Sequence, residues 1–111
     1  MAIKTENKNG LVVCYVEGEI DINTAPDIKK SLEKVLAKKA PKIVINFSKV
    51  TYVDSSGLAT LVEILKGMRS YGGKMRLSNL SSKVKSLFEI TKLDKLFTIF
   101  KNQNEAVNSV K

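Results

Sequence analysis

Asp54-Ser55-Ser56-Gly57 is the stretch whose residue types and spacing are best suited to chemistry. One carboxylate and two hydroxyls stand directly before Leu58, Leu61, Val62, Leu65 and Met68, whose spacing marks one face of a helix. They therefore fall at a helix N-terminus, where unpaired backbone N–H groups point outward and the dipole favours negative charge. Two uses of that position are open. Asp54 or a serine can cap the helix by accepting from a free N–H. Alternatively, a serine can accept a phosphoryl group, whose charge the same N–H groups tolerate.

Several other chemistries are excluded by what is missing. Histidine is absent, which removes Ser-His-Asp and Cys-His arrangements and the commonest metal ligand. No lysine lies in the serine turn to serve as a base. Residues 67–74 superficially resemble a phosphate loop, but the spacing is wrong and Met75 replaces the required hydroxyl residue. Asp21 and Asp54 each end a strand–loop segment and could approach one another. A two-carboxylate hydrolase would need large substrate loops, which the chain lacks. The expectation is a protein that is not an enzyme, with no catalytic residue, metal site or cofactor.

The charge points to a partner but not to nucleic acid. The 111 residues carry 19 basic against 11 acidic side chains, for a net charge of +8. The basic residues are scattered lysines apart from Arg69 and Arg76, and aromatics make up only 6%. Stacking platforms and arginine base-edge readers are therefore lacking. An acidic protein partner suits this charge better, or it serves solubility. No apolar run approaches a membrane span, so no membrane insertion is expected. The N-terminus lacks a signal-peptide pattern, and the lone Cys14 sits in an apolar run as a core thiol. These features favour the cytoplasm, and the chain reads as a monomer.

The elements that must position the serines follow in order. Residues 3–6 read as an edge strand, 7–10 as a turn and 11–16 as an interior strand left through Gly18. Thr24 offers an N-cap, with Asp27 completing a capping arrangement, for a helix reaching about Lys38. A strand over 43–47 leads into a connecting loop over 48–53, and the serine helix runs from about Ser55 to Ser70. A strand over 74–78 follows, then a helix capped by Ser81 or Ser82 that carries Val84, Leu87, Phe88 and Ile90. A strand over 96–100 and a short helix over 102–110 complete the chain. This alternation predicts an α/β fold in one domain over 1–111. The sheet is mostly parallel, of four to five strands with an antiparallel edge strand, joined by right-handed crossovers and about four helices.

Gly18-Glu19-Ile20-Asp21, residues 43–47, and Val53-Asp54-Ser55-Ser56-Gly57-Leu58 together resemble the STAS domain, and more narrowly the bacterial anti-sigma factor antagonists. Residues 83–88 are similar to that family's third helix, and the resemblance spans about Leu11 to Phe100. It implies partner switching. The unphosphorylated antagonist binds an anti-sigma factor that is also a serine kinase, and so frees the sigma factor. The kinase phosphorylates the serine after the Asp, here Ser55, with Ser56 the alternative, and a serine phosphatase reverses this. ATP and Mg²⁺ belong to the kinase. The implied partner-binding surface comprises Asp21, Asp54, Ser55, Ser56, Gly57 and Leu58. Gly57 is expected to let the backbone approach another segment or the partner, and Leu58 lies either in the core or against the partner. The same fold also serves non-phosphorylated subunits of membrane lipid-transport complexes and signalling scaffolds.

Overall fold

A computed structural model describes residues 2–111. Its strands are β1 (Ala2–Lys8), β2 (Leu11–Ile20), β3 (Lys42–Val53), β4 (Lys74–Ser78) and β5 (Thr98–Phe100). Its helices are α1 (Ala25–Ala37), α2 (Ser55–Arg69), α3 (Ser82–Ile90) and α4 (Gln103–Asn108), with a 3₁₀ turn at Leu93–Lys95. The five strands form one sheet in the order β1-β2-β3-β4-β5. β1 is antiparallel to β2, and the remaining pairs are parallel.

Asn9 and Gly10 adopt positive φ, 54° and 84°, as a two-residue hairpin turn requires. From β2 onward the chain steps in one direction across the sheet, so right-handed crossovers put α1, α2 and α3 on the same face. Alternation along β3 confirms the two faces. Ile43, Ile45 and Phe47 join Ile28, Leu32, Leu61, Ile64 and Phe88 in the main core, whereas Val44 points the other way against Val13 and Ala106 of α4. Phe88 sits edge-on to Phe47 and Phe97, at 6.5 and 5.6 Å between ring centroids. On the α4 face the buried Asn46 donates to Gln103 Oε1 at 2.9 Å, and Gln103 Nε2 donates to the Tyr15 hydroxyl at 3.0 Å. No helix among the described residues is long and apolar enough to cross a membrane.

Four expectations need correction. Residues 48–53 are not a loop: β3 continues through them to Val53, paired with the end of β2. β2 likewise runs past Gly18 to Ile20. The pairing slips in register between Tyr15 and Glu17 and between Gly18 and Glu19, and Gly18 carries φ 105° at the slip. Such bulges break the two-residue alternation that marks a strand in sequence, which is why the run looks irregular. Ile90 was expected on the inward face of α3 but is 78% exposed. It lies two residues beyond Phe88, about 200° around the helix at about 100° per residue. The last strand begins only at Thr98, because the 3₁₀ turn at 93–95 also holds the N–H groups of Leu96 and Phe97, both donating to the Leu93 carbonyl at 2.9 Å.

Cys14 is fully buried, and burial pushes its thiol up to about 12. The thiolate is the reactive form. Iodoacetamide at pH 8 should therefore leave the native protein unmodified and add one carbamidomethyl group in 6 M guanidinium, as read by intact mass. Rapid labelling of the native state would contradict this burial.

Candidate functional site

Parallel pairing of β2 with β3 brings two distant segments to one edge of the sheet. Ile20 pairs with Val53, so Asp21 and Asp54 leave the sheet side by side. The Asp54 N–H donates to the Ile20 carbonyl at 3.0 Å. The Asp54 carboxylate accepts from Gly57 N–H at 3.0 Å, as the N-cap of α2, and from Ile22 N–H at 3.2 Å. One aspartate thus fastens the start of α2 to the segment after β2.

Asp21 has a different task. Its Oδ1 accepts from the backbone N–H groups of Asn23 and Thr24, at 2.9 and 3.1 Å, and so shapes the turn into α1. Thr24 stands at the N-cap of α1 but makes no capping bond there, and the expected arrangement with Asp27 does not form. Its hydroxyl accepts from Asp21 N–H at 2.9 Å and donates to the Glu19 carbonyl at 2.8 Å. Both carboxylates are engaged by backbone donors, which suits a scaffold for the turn and not an acid–base pair.

The serines are set apart by this framework. Because Asp54 holds the cap, neither serine needs to. Ser55, the first residue of α2, is exposed, and Ser56 is half-buried. Gly57 is buried because it packs on β2: an added Cβ would lie 2.6 Å from Ile20 Cγ2 and 2.7 Å from the Ile20 carbonyl oxygen. Its close approach is to this segment of the chain itself. Leu58, expected among the partner-binding residues, is 5% exposed and belongs to the core. Its position three residues before Leu61 puts it on the buried stripe.

A groove of about 560 Å³ runs beside Ser55, between the end of β3 and α3. Tyr52 and Asp54 line one wall, and Lys83, Leu87 and Ile90 line the other. Tyr52 and Ile90 are large apolar side chains left exposed, at 43% and 78%, and Ile22 beyond Asp21 is 70% exposed. The sequence reading missed these residues as site candidates. Tyr52 stood in a supposed loop and Ile90 on a supposed core face. The helical angle of Ile90 was the available signal.

The sequence pattern of the STAS domain family matches residues 2–106. The chain belongs to the STAS domain family. A curated relative from Listeria monocytogenes, named anti-sigma-B factor antagonist, is 38% identical over 85 residues, covering 77% of this chain and 75% of that protein. A Bacillus subtilis relative of the same name is 35% identical over 94 residues, covering 85% and 84%. Among solved structures, an anti-sigma factor antagonist from Mycobacterium paratuberculosis superimposes with a TM-score of 0.90 at 28% identity, over 98% of this chain and 92% of that one. In this STAS domain the cap is therefore the element to probe. Asp54→Ala should cost about 1–2 kcal/mol in urea unfolding, since it deletes the cap and the bond to Ile22. Asp54→Asn keeps one acceptor oxygen, enough for the cap to Gly57 but not also for Ile22 N–H, and should lose less than alanine.

Proposed function

We propose that this STAS domain is an anti-sigma factor antagonist whose unphosphorylated form binds an anti-sigma factor with serine-kinase activity, and that phosphorylation of Ser55 ends the complex. The observation that carries this reading is the exposure of Ser55 at the first position of a 15-residue helix whose cap is already supplied by Asp54. The Ser55 hydroxyl is free to attack the γ-phosphorus of kinase-bound ATP, losing its proton as ADP departs. Ser56 is half-buried and is the less accessible alternative.

The switch is one of charge at a surface. A phosphoserine carries roughly −1.5 to −2 charges. At the start of α2 the N–H groups and dipole accommodate that charge, so the fold is retained. Asp54 and Asp21 stand close by, and the exposed Ile22, Tyr52 and Ile90 offer the apolar contact area around them. Adding phosphate there turns a mixed apolar surface into a strongly acidic, hydrated one and expels the partner. A serine phosphatase restores the binding form. ATP and Mg²⁺ belong to the kinase, and the antagonist itself is a non-enzymatic, cytoplasmic single domain over 1–111.

A tagged pull-down from native lysate with intact-mass measurement of the bait tests this reading. Recovery of a kinase-type anti-sigma factor, and a phosphate adduct that disappears in Ser55→Ala, are the expected results. Recovery of a membrane transporter with no phosphate on any serine would replace the reading with that of a transport-complex subunit.

A further inference from the structure

Strand β1 pairs with β2 on one side and ends the sheet on the other. Lys8 and Leu11 close the hairpin around Asn9 and Gly10, so they form the hydrogen-bonded pair that flanks a two-residue turn. Bonding alternates along an antiparallel pair. The backbone groups of Lys4, Glu6 and Lys8 therefore face β2, and those of Ile3, Thr5 and Asn7 face outward along the free edge.

We propose that this edge is a self-association surface, on which β1 pairs antiparallel with β1 of a second copy of the chain, Thr5 opposite Thr5 on a two-fold axis. The register follows from the residues. Centring on Thr5 matches Thr5 with Thr5 and Ile3 with Asn7, so every outward-facing residue of the edge finds an outward-facing partner. The same register sets Lys4 of each copy opposite Glu6 of the other, in the closer, non-hydrogen-bonded type of pair. Sliding by one residue per strand in one direction sets Lys4 against Lys4; sliding the other way sets Glu6 against Glu6 and Lys4 against Lys8. Charged edge strands normally discourage pairing. This one is self-complementary in a single register and repulsive in its neighbours.

The flanking elements leave room for it. Ile3, Thr5 and Asn7 line a groove of about 470 Å³ beneath α1, which lies open toward the edge. α1 packs on β2 and α2. In the dimer the two copies of α1 are separated by three strand spacings, roughly 14 Å at about 4.8 Å each, beyond helix-packing distance. Lys34 and Lys38 of α1 line that groove in each copy and oppose their counterparts across the axis. The dimer is accordingly weak, and the monomer expected from the sequence is its dilute form.

Sedimentation equilibrium of the untagged chain up to about 1 mM tests this, since weak contacts populate at that concentration. The weight-average mass should climb toward twice the monomer mass as concentration rises. Thr5→Pro should remain monomeric at the highest concentration, because it removes an outward N–H and leaves the β2 pairing intact. Lys4→Glu should weaken the dimer at least fivefold, and Lys4→Glu with Glu6→Lys should restore it. A wild-type chain that stays monomeric throughout would overturn the proposal. So would a Thr5→Pro variant with an unchanged circular dichroism spectrum that dimerises as the wild type does, or a double charge swap that fails to restore association.

Discussion

Ser55→Asp should weaken binding to the anti-sigma factor at least about tenfold, or ~1.4 kcal/mol, while leaving the urea midpoint nearly unchanged. The two halves of this expectation have separate physical origins. Stability is preserved because position 55 is exposed and begins α2, where a carboxylate is favourable, by about 0.3–1 kcal/mol at such sites. Binding is lost because the new charge joins Asp54 and Asp21 at the edge of the Tyr52–Ile90 groove and must be desolvated when a partner closes over it. Lys83 across the groove offsets only part of this charge. Ser55→Ala should bind within about twofold of wild type, since the hydroxyl takes no part in the cap. Titration calorimetry with the purified anti-sigma factor separates the three proteins.

Gly57→Ala should damage both stability and binding. Alanine is intrinsically a better helix former than glycine by about 1 kcal/mol. Here the gain is outweighed. The added methyl would stand 2.6 Å from Ile20 Cγ2, 2.7 Å from the Ile20 carbonyl oxygen and 3.1 Å from Val53 Cγ1. Ile20 is fully buried, and its carbonyl already accepts the Asp54 N–H at 3.0 Å. The carbonyl cannot withdraw without breaking that bond, and the side chain is enclosed by the core. Overpacking of this kind costs about 1–3 kcal/mol, so after the helix-former gain the net loss should reach up to about 2 kcal/mol in urea unfolding. The start of α2 would be pushed away from β2, carrying Ser55 with it, so affinity for the partner should fall as well. A variant with wild-type stability would show that the turn is looser than its contacts indicate.

Much of this architecture is visible in the residues because local chemistry and tertiary packing agree. Asn9-Gly10 demands a tight hairpin turn, and the Leu58–Met68 series demands a helix buried on one side. The approach of Asp21 to Asp54 is also anticipated, since parallel strands end at the same edge of a sheet. What the residues do not show is which side chain takes which role there. Nothing local distinguishes Asp54 as the cap from Ser55 as the exposed hydroxyl; that depends on the Ile22 N–H reaching the same carboxylate from 32 residues away. The long β3 is obscured for a similar reason. Its second half is held by a bulged pairing with β2, and bulges erase the alternation that identifies a strand. Leu58, left open between core and partner surface, is decided by the helix period: three residues before Leu61, it turns inward and is 5% exposed.

The central claim is that phosphate on Ser55 ends the partner complex by local charge and not by unfolding. The most direct test is to titrate the anti-sigma factor with two forms of the protein, unmodified and phosphorylated on Ser55 alone, and to record the circular dichroism spectrum of each. The expected result is a loss of affinity of at least about tenfold in the phosphorylated form, with superimposable spectra. Equal affinities, or weaker binding accompanied by loss of secondary structure, would contradict it.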